Sequence, residues 1–152
     1  HVAVMTQTTL SVEDTASVIQ ILEERFPRLE TPPKSDICYA THNRQHAVRH
    51  LARITDLILV LGARNSSNTN RLVEVAKSCG ARAHLVTSLD DVPDPSIDHA
   101  TTIGVTAGAS TPEHFVTDVV RHLRATWPVT VSEETVIEED LHFQVPKKLQ
   151  AP

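Results

Sequence analysis

Leu57-Ile58-Leu59-Val60-Leu61 is a solid apolar run that stops at Gly62, and Asn65, Ser66, Ser67, Asn68 and Asn70 follow before an apolar helical pattern begins. Small hydrogen-bonding side chains at a strand-to-helix junction suit an anion. The first turn of a helix leaves N–H groups unpaired and carries the positive end of the dipole. Ser and Asn before a helix normally serve only as caps, but five such residues within six positions exceed what capping needs. Three other places carry residues that a plain core would not ask for. Thr8 and Thr9 follow the first β-rich stretch, Cys38 and Tyr39 lie near the end of Asp36-Ile37-Cys38-Tyr39-Ala40, and Gly108 and Ser110 follow Thr101-Thr102-Ile103-Gly104-Val105-Thr106. Gly62 and Gly108 would let backbone approach a bound group closely. There is no GxGxxG after a strand and no P-loop, so a nucleotide is not the obvious ligand.

The remaining reactive residues read more plainly. Cys38 taken alone is most simply a small buried hydrophobe, and Cys79, at a helix end before Gly80, is structural. His42, His46 and His50 are spaced by four and would stack on one helical face. That face lies away from Ala47, Val48 and Leu51, and no closing ligand accompanies it, so it reads as a solvated face rather than a metal site.

The elements that must position these groups alternate. A short β-rich start, residues 1–7, precedes a helix from Ser11 as N-cap, with Asp14 three residues on and Val18, Ile19, Leu22 and Phe26 on its apolar side. The Pro-rich stretch 27–36 reads as a linker. Then come a short strand over Asp36–Ala40, a helix over Gln45–Arg53, a buried strand over Asp56–Gly62, and a helix over Asn70–Cys79 ended by Gly80. A strand over Arg82–Thr87, a turn-rich stretch over 88–99 and a strand over Thr101–Gly108 follow. The last helix has Thr111 as N-cap, Pro112 in its first turn and Phe115, Val116, Val119, Val120 and Leu123 inside. The tail looks extended and loosely organised. Strands alternating with helices imply an α/β fold of parallel-sheet βαβ units. All four unusual places would then share the rim at the carboxyl ends of the strands, where open α/β folds bind ligands.

Composition narrows the class. The 152 residues suffice for one domain with a real core, or one domain plus part of another; 40% are hydrophobic but only 3% aromatic, so the core must be Val, Leu, Ile and Ala. The net charge of -5, with no basic stripe, argues against a nucleic-acid partner. No apolar run approaches the ~20 residues of a membrane span. The two cysteines are far apart and form no CxxC pair, which reads as a reducing, cytoplasmic chain. The chain begins at His1 without an initiator Met, so a piece of something longer is expected.

Four stretches, 6–15 (TQTTLSVEDT), 36–45 (DICYATHNRQ), 65–72 (NSSNTNRL) and 104–113 (GVTAGASTPE), occur in this order. Together they closely resemble the C-terminal half of the 4-hydroxy-3-methylbut-2-enyl diphosphate reductase (LytB) family, iron–sulfur enzymes of the last step of the non-mevalonate isoprenoid pathway. The likeness runs from about Met5 into the tail. It implies three similar α/β domains around a central 4Fe–4S cluster. Residues 1–34 would end the middle domain, 35–128 would form one complete three-layer domain, and 129–152 would be a C-terminal tail. By the same resemblance Cys38 is the last of three cluster cysteines. Thr8 lies beside the substrate hydroxyl and helps relay a proton, and Ser66, Ser67, Asn68 and Ser110 bind the diphosphate of an allylic substrate. An electron donor such as ferredoxin or flavodoxin is implied, as is the missing N-terminal half, which would carry two more cysteines, several histidines and a proton-donating Glu. His42 stands where the family has another polar residue and inherits no role. Alone, this chain is expected to be inactive. The competing expectation is a stand-alone α/β module that binds a phosphorylated small molecule without catalysis, and sequence upstream of His1 would discriminate between them.

Overall fold

The computed structural model describes residues 1–92 and 100–138. Its centre is β3 (Leu57–Leu61), whose five residues are fully buried. Parallel strands flank it on both sides, β4 (Arg82–Val86) and β5 (Ile103–Ala107), in the order β4-β3-β5. Leu61 stands level with Val86 on one side and Ala107 on the other, so all three strands end at one rim.

Alternation along β3 makes two cores. Leu57, Leu59 and Leu61 pack with Val119 and Leu123 of α4 (Glu113–Thr126). Ile58 and Val60 point the other way, to Val48 of α2 (Tyr39–Ile54) and Leu72, Val75 and Ala76 of α3 (Ser67–Ser78). Each of the fully buried Val, Leu and Ile side chains among them is worth about 1.5–3 kcal/mol relative to exposure. The result is three layers, as the alternation of elements implies. From β3 the chain crosses by α3 to β4, then returns to the far side of β3 as β5. The strand order therefore reverses between β3 and β5, which places a crevice at their carboxyl ends.

Residues 1–30 add a smaller parallel pair, β1 (Val2–Ala3) beside β2 (Leu29–Glu30), joined by α1 (Val12–Arg25). The Ser11 hydroxyl accepts the Asp14 N–H at 3.2 Å, the cap that the sequence predicts. No residue of α1 is fully buried, and Val18 and Ile21 are exposed.

Four expectations need correction. Leu29–Glu30 is a strand paired with β1, not linker. Asp36–Ala40 is not a strand: Cys38 is the N-cap of α2, which starts six residues earlier than the apolar pattern indicated. The inner face of α2 continues as Thr41 and Gln45 before Val48, and polar residues there disguise the helical period. Gln45 is fully buried because both ends of its amide are used: Oε1 accepts the Val12 N–H at 3.1 Å and Nε2 donates to the Leu10 carbonyl at 2.8 Å. The third helix likewise starts at Ser67 rather than Asn70, with Ser66 as its cap. Finally, Thr111 does not cap α4; its hydroxyl donates to the Leu61 carbonyl at 2.9 Å, and Pro112 holds the cap position. Gly80, with φ +83, follows α3 as expected. The turn-rich stretch opens with a single 3-10 turn, Leu89–Asp91; its residues 93–99, and the tail from 139 onward, lie outside the described residues. Residues 128–138 form no regular element. Among the described residues, no helix is long and apolar enough to cross a membrane.

The amino ends of β3 and β5 are tied by one carboxylate. Asp56 Oδ2 accepts the Thr101 and Thr102 N–H groups at 2.9 and 3.0 Å and their hydroxyls at 2.7 and 3.0 Å. These bonds, led by the Thr101 hydroxyl, lower its pKa to about 2. Because the folded pKa lies below the ordinary 3.8, this contribution is complete above that value and is lost as pH falls through about 2. Asp56→Asn is therefore expected to lower the urea midpoint at pH 7, with the gap to the unsubstituted protein closing as unfolding is repeated toward pH 2.

Candidate functional site

The rim is assembled around Thr69, a fully buried residue in the first turn of α3. Its N–H and hydroxyl both donate to the Ser66 hydroxyl, at 3.3 and 2.9 Å. Its side chain fills the space beside two glycines. A Cβ on Gly62, whose φ is +150, would lie 2.6 Å from Thr69 Oγ1, and a Cβ on Gly108 would land on the same atom. The glycines therefore make room for Thr69, and Gly62 also for Thr111. Gly108 N–H donates to the Leu61 carbonyl at 2.9 Å. The loops after β3 and β5 are thus locked side by side.

On this lock sit the predicted anion-binding residues. Ser66 caps α3, and Ser67 is its exposed first residue. Asn68 is buried, and neither its amide nitrogen nor its amide oxygen has a hydrogen-bond partner among the described residues. A buried amide left unpaired costs about 1–3 kcal/mol, so such a pair of atoms points to a missing partner. Ser110 is exposed in the loop after β5. It lines a cleft of ≈ 480 Å³ with Gly62, Arg64, Thr111 and His114, whereas Ser66, Ser67 and Asn68 do not line it.

Thr8 and Cys38 form a second group. The Cys38 N–H donates to the Thr8 carbonyl at 3.1 Å, and two residues upstream Asp36 Oδ2 accepts the Thr6 N–H at 2.8 Å. Both Thr8 and Cys38 are exposed, and Cys38 is a free thiol at the start of α2. Thr9 Oγ1 beside them is buried and unpaired among the described residues. The two groups are connected by α2, where Arg44 donates from a terminal guanidinium nitrogen to the Ala107 carbonyl at 2.8 Å.

His42 and His46 are exposed, and His50 Nε2 lies 3.6 Å from Glu134 Oε2 in the segment after α4. Among the described residues no cluster of three or more His, Cys, Asp or Glu is placed to hold a metal. Cys79 is exposed at the end of α3. Sequence reasoning missed Thr69 and Arg44. Thr69 follows Asn68 directly and reads as one more small polar residue; Arg44 reads as helix surface.

Residues 1–124 match the family model described as LytB protein. The chain belongs to the LytB family. It is 47% identical over 146 residues to the 4-hydroxy-3-methylbut-2-enyl diphosphate reductase of Haemophilus influenzae (strain PittGG), and 51% identical over 146 residues to that of Serratia proteamaculans (strain 568). Each alignment covers 96% of this chain and 46% of the relative, so the chain spans about half the length of the curated relatives it matches. Among solved structures, the E-1-hydroxy-2-methyl-but-2-enyl-4-diphosphate reductase of Plasmodium falciparum aligns with a TM-score of 0.85 at 33% identity, over 96% of this chain and 46% of that one. A structure of (E)-4-hydroxy-3-methyl-but-2-enyl diphosphate reductase, described as the terminal enzyme of the non-mevalonate pathway, aligns with a TM-score of 0.56 at 25% identity, over 81% and 43%. The parallel α/β architecture expected from the sequence is shared with these proteins.

The lock makes a testable demand. Gly62→Ala and Gly108→Ala should each destabilise by about 1–3 kcal/mol in urea unfolding, because a methyl is forced against a buried side chain. Gly80→Ala, where nothing lies within 4 Å, should cost only about 1 kcal/mol for its positive φ.

Proposed function

We propose that this chain is the C-terminal part of a 4-hydroxy-3-methylbut-2-enyl diphosphate reductase, and that its rim grips the diphosphate of the substrate. The observation that carries this is Asn68, buried at a helix start beside Ser66 and Ser67, with both amide atoms unsatisfied among the described residues. An amide can donate to a phosphate oxygen and accept from a protonated one or from water. Ser66, Ser67 and Ser110 add neutral donors, and the amino end of α3 adds unpaired N–H groups. These groups hold and orient the substrate.

Thr8 stands beside the other end of the substrate and relays a proton to the leaving hydroxyl. Overall the substrate takes up two electrons and two protons, its C–O bond breaks, and the hydroxyl departs as water, giving isopentenyl and dimethylallyl diphosphate. Cys38 fits the role of one ligand to a 4Fe–4S cluster, since its thiol is free and exposed at the amino end of α2, against the loop that carries Thr8. With one such thiol at this rim, the cluster's other ligands would come from the part of the relatives' length that this chain does not span. When bound, such a cluster supplies electrons and an open iron with Lewis acidity. Electrons would come from an external donor such as ferredoxin or flavodoxin, in the cytoplasm. We place the border between the middle domain and the third domain near residue 34, where the β1–β2 unit ends and the segment leading into α2 begins, with a C-terminal tail from 129.

The complete protein, N-terminal portion included, should oxidise a reduced viologen dye anaerobically when given the substrate. In it, Cys38→Ser should abolish cluster iron. Ser66→Ala with Ser67→Ala should raise KM about 10- to 100-fold at nearly unchanged iron content, the scale of one lost hydrogen bond to a charged group. Unchanged iron and turnover in the Cys38 variant would refute its role. Iron-free, inactive protein that still bound diphosphate would point instead to a binding module without catalysis.

A further inference from the structure

We propose that Gln45 is a positioning residue for the reaction, holding the turn that carries Thr8 against the start of α2, where Cys38 lies. The inference rests on the roles proposed above for Thr8 and Cys38.

Thr8 and Cys38 come from separate elements and are both exposed, so packing of their own side chains does little to fix them. Thr8 and Thr9 are the central residues of a turn, closed by the Leu10 N–H donating to the Gln7 carbonyl at 3.3 Å. This turn and the residues that leave it meet α2 at two points. At the amino end of the helix the Cys38 N–H donates to the Thr8 carbonyl at 3.1 Å. Seven residues on, roughly 10 Å along the axis, Gln45 Nε2 donates to the Leu10 carbonyl at 2.8 Å and Gln45 Oε1 accepts the Val12 N–H at 3.1 Å. The helix is the rigid member of this arrangement, and the turn is clamped to it at both ends.

Gln45 has no exposed surface, and both of its bonds go to main-chain groups that flank the cap residue Ser11. Val12 is the first residue of α1, so its N–H has no partner within its own helix. Without the amide, a donor and an acceptor would be left stranded against a buried side chain. Residues 8–11 belong to no helix or strand, so they are the part free to shift. A shift there moves the Thr8 hydroxyl relative to Cys38, and an error of about 1 Å in a reacting group can cost 100-fold in rate. Ser66, Ser67, Asn68 and Ser110 follow β3 and β5 instead, so the grip on the diphosphate does not pass through this contact.

The test uses the complete protein with its N-terminal portion. Amide hydrogen exchange is followed at Val12 and Cys38, with Leu59 and Val60 of β3 as the internal reference, beside iron content and the KM and kcat of dye oxidation. Gln45→Met keeps the length and loses both hydrogen bonds. It should speed exchange at Val12 and Cys38 about tenfold or more while β3 is unchanged. Iron and KM should stay within about threefold, and kcat should fall about 10- to 100-fold. Gln45→Glu regains the donor when its carboxyl is protonated, a state that burial favours, so at pH 6 its kcat should exceed that of the Met variant about fivefold or more. Gln45→Leu takes the place of the Met variant should that one not fold. Unchanged exchange at Val12 and Cys38, or a kcat within about threefold in the Met variant of an active protein, would overturn the proposal and leave the reductase reading standing. So would faster β3 exchange with iron, KM and kcat all impaired together, the mark of a residue needed only for folding, and so would a Glu variant no better than the Met variant at pH 6. Exchange that responds to Gln45 in an unsubstituted background without dye oxidation would remove the reductase reading, and with it any role for Gln45 in a reaction.

Discussion

One buried hydroxyl-bearing side chain, Thr69, sets the spacing on which the rim depends. It occupies the volume that side chains at Gly62 and Gly108 would need, and it donates to Ser66. Two loops that leave adjacent strands are thereby held at one distance. The placing of Ser66, Ser67, Asn68 and Ser110 depends on that contact together with the bonds that the Gly108 N–H and the Thr111 hydroxyl donate to the Leu61 carbonyl. A rim fixed in this way needs little reorganisation when a ligand arrives.

The apolar and polar parts of the molecule divide the work. The alternating faces of β3 supply two cores and most of the stabilisation, while polar residues at the strand ends decide where the loops go. Below the sheet Asp56 gathers four donors from Thr101 and Thr102, so the amino ends of β3 and β5 are closed by a fully satisfied network. Above it, Asn68, Thr9 and Arg44 retain groups without a partner among the described residues. Satisfied polar groups at one end and unsatisfied ones at the other support the proposed placing of the binding rim.

Helix α2 ties the two halves of the site together. Its first residue follows Cys38, its buried Gln45 clasps the entry into α1, and its Arg44 reaches the end of β5. Exposed ion pairs such as Arg121–Asp118, at 2.7 Å, add little by comparison, because solvent screens them. The positions of Thr8 and Cys38 relative to the sheet therefore depend on a few buried hydrogen bonds.

The sequence alone determined the alternation of strands and helices, the buried central strand, the caps at Ser11 and Gly80, and the clustering of Ser66–Asn68 and Ser110 after strands. These are local signals, carried by hydrophobic period and by residues with strong turn or cap chemistry. Its ordered motifs also pointed to the LytB family. Tertiary structure alone decided the strand order that opens the crevice between β3 and β5, the start of α2 at Tyr39, and the roles of Thr69, Thr111, Arg44 and the two glycines. The physical reason is the same in each case. A polar side chain's role is set by the partner it meets across the fold, and neither Gln45 with Leu10, Thr111 with Leu61, nor Arg44 with Ala107 has a period that a sequence pattern can display.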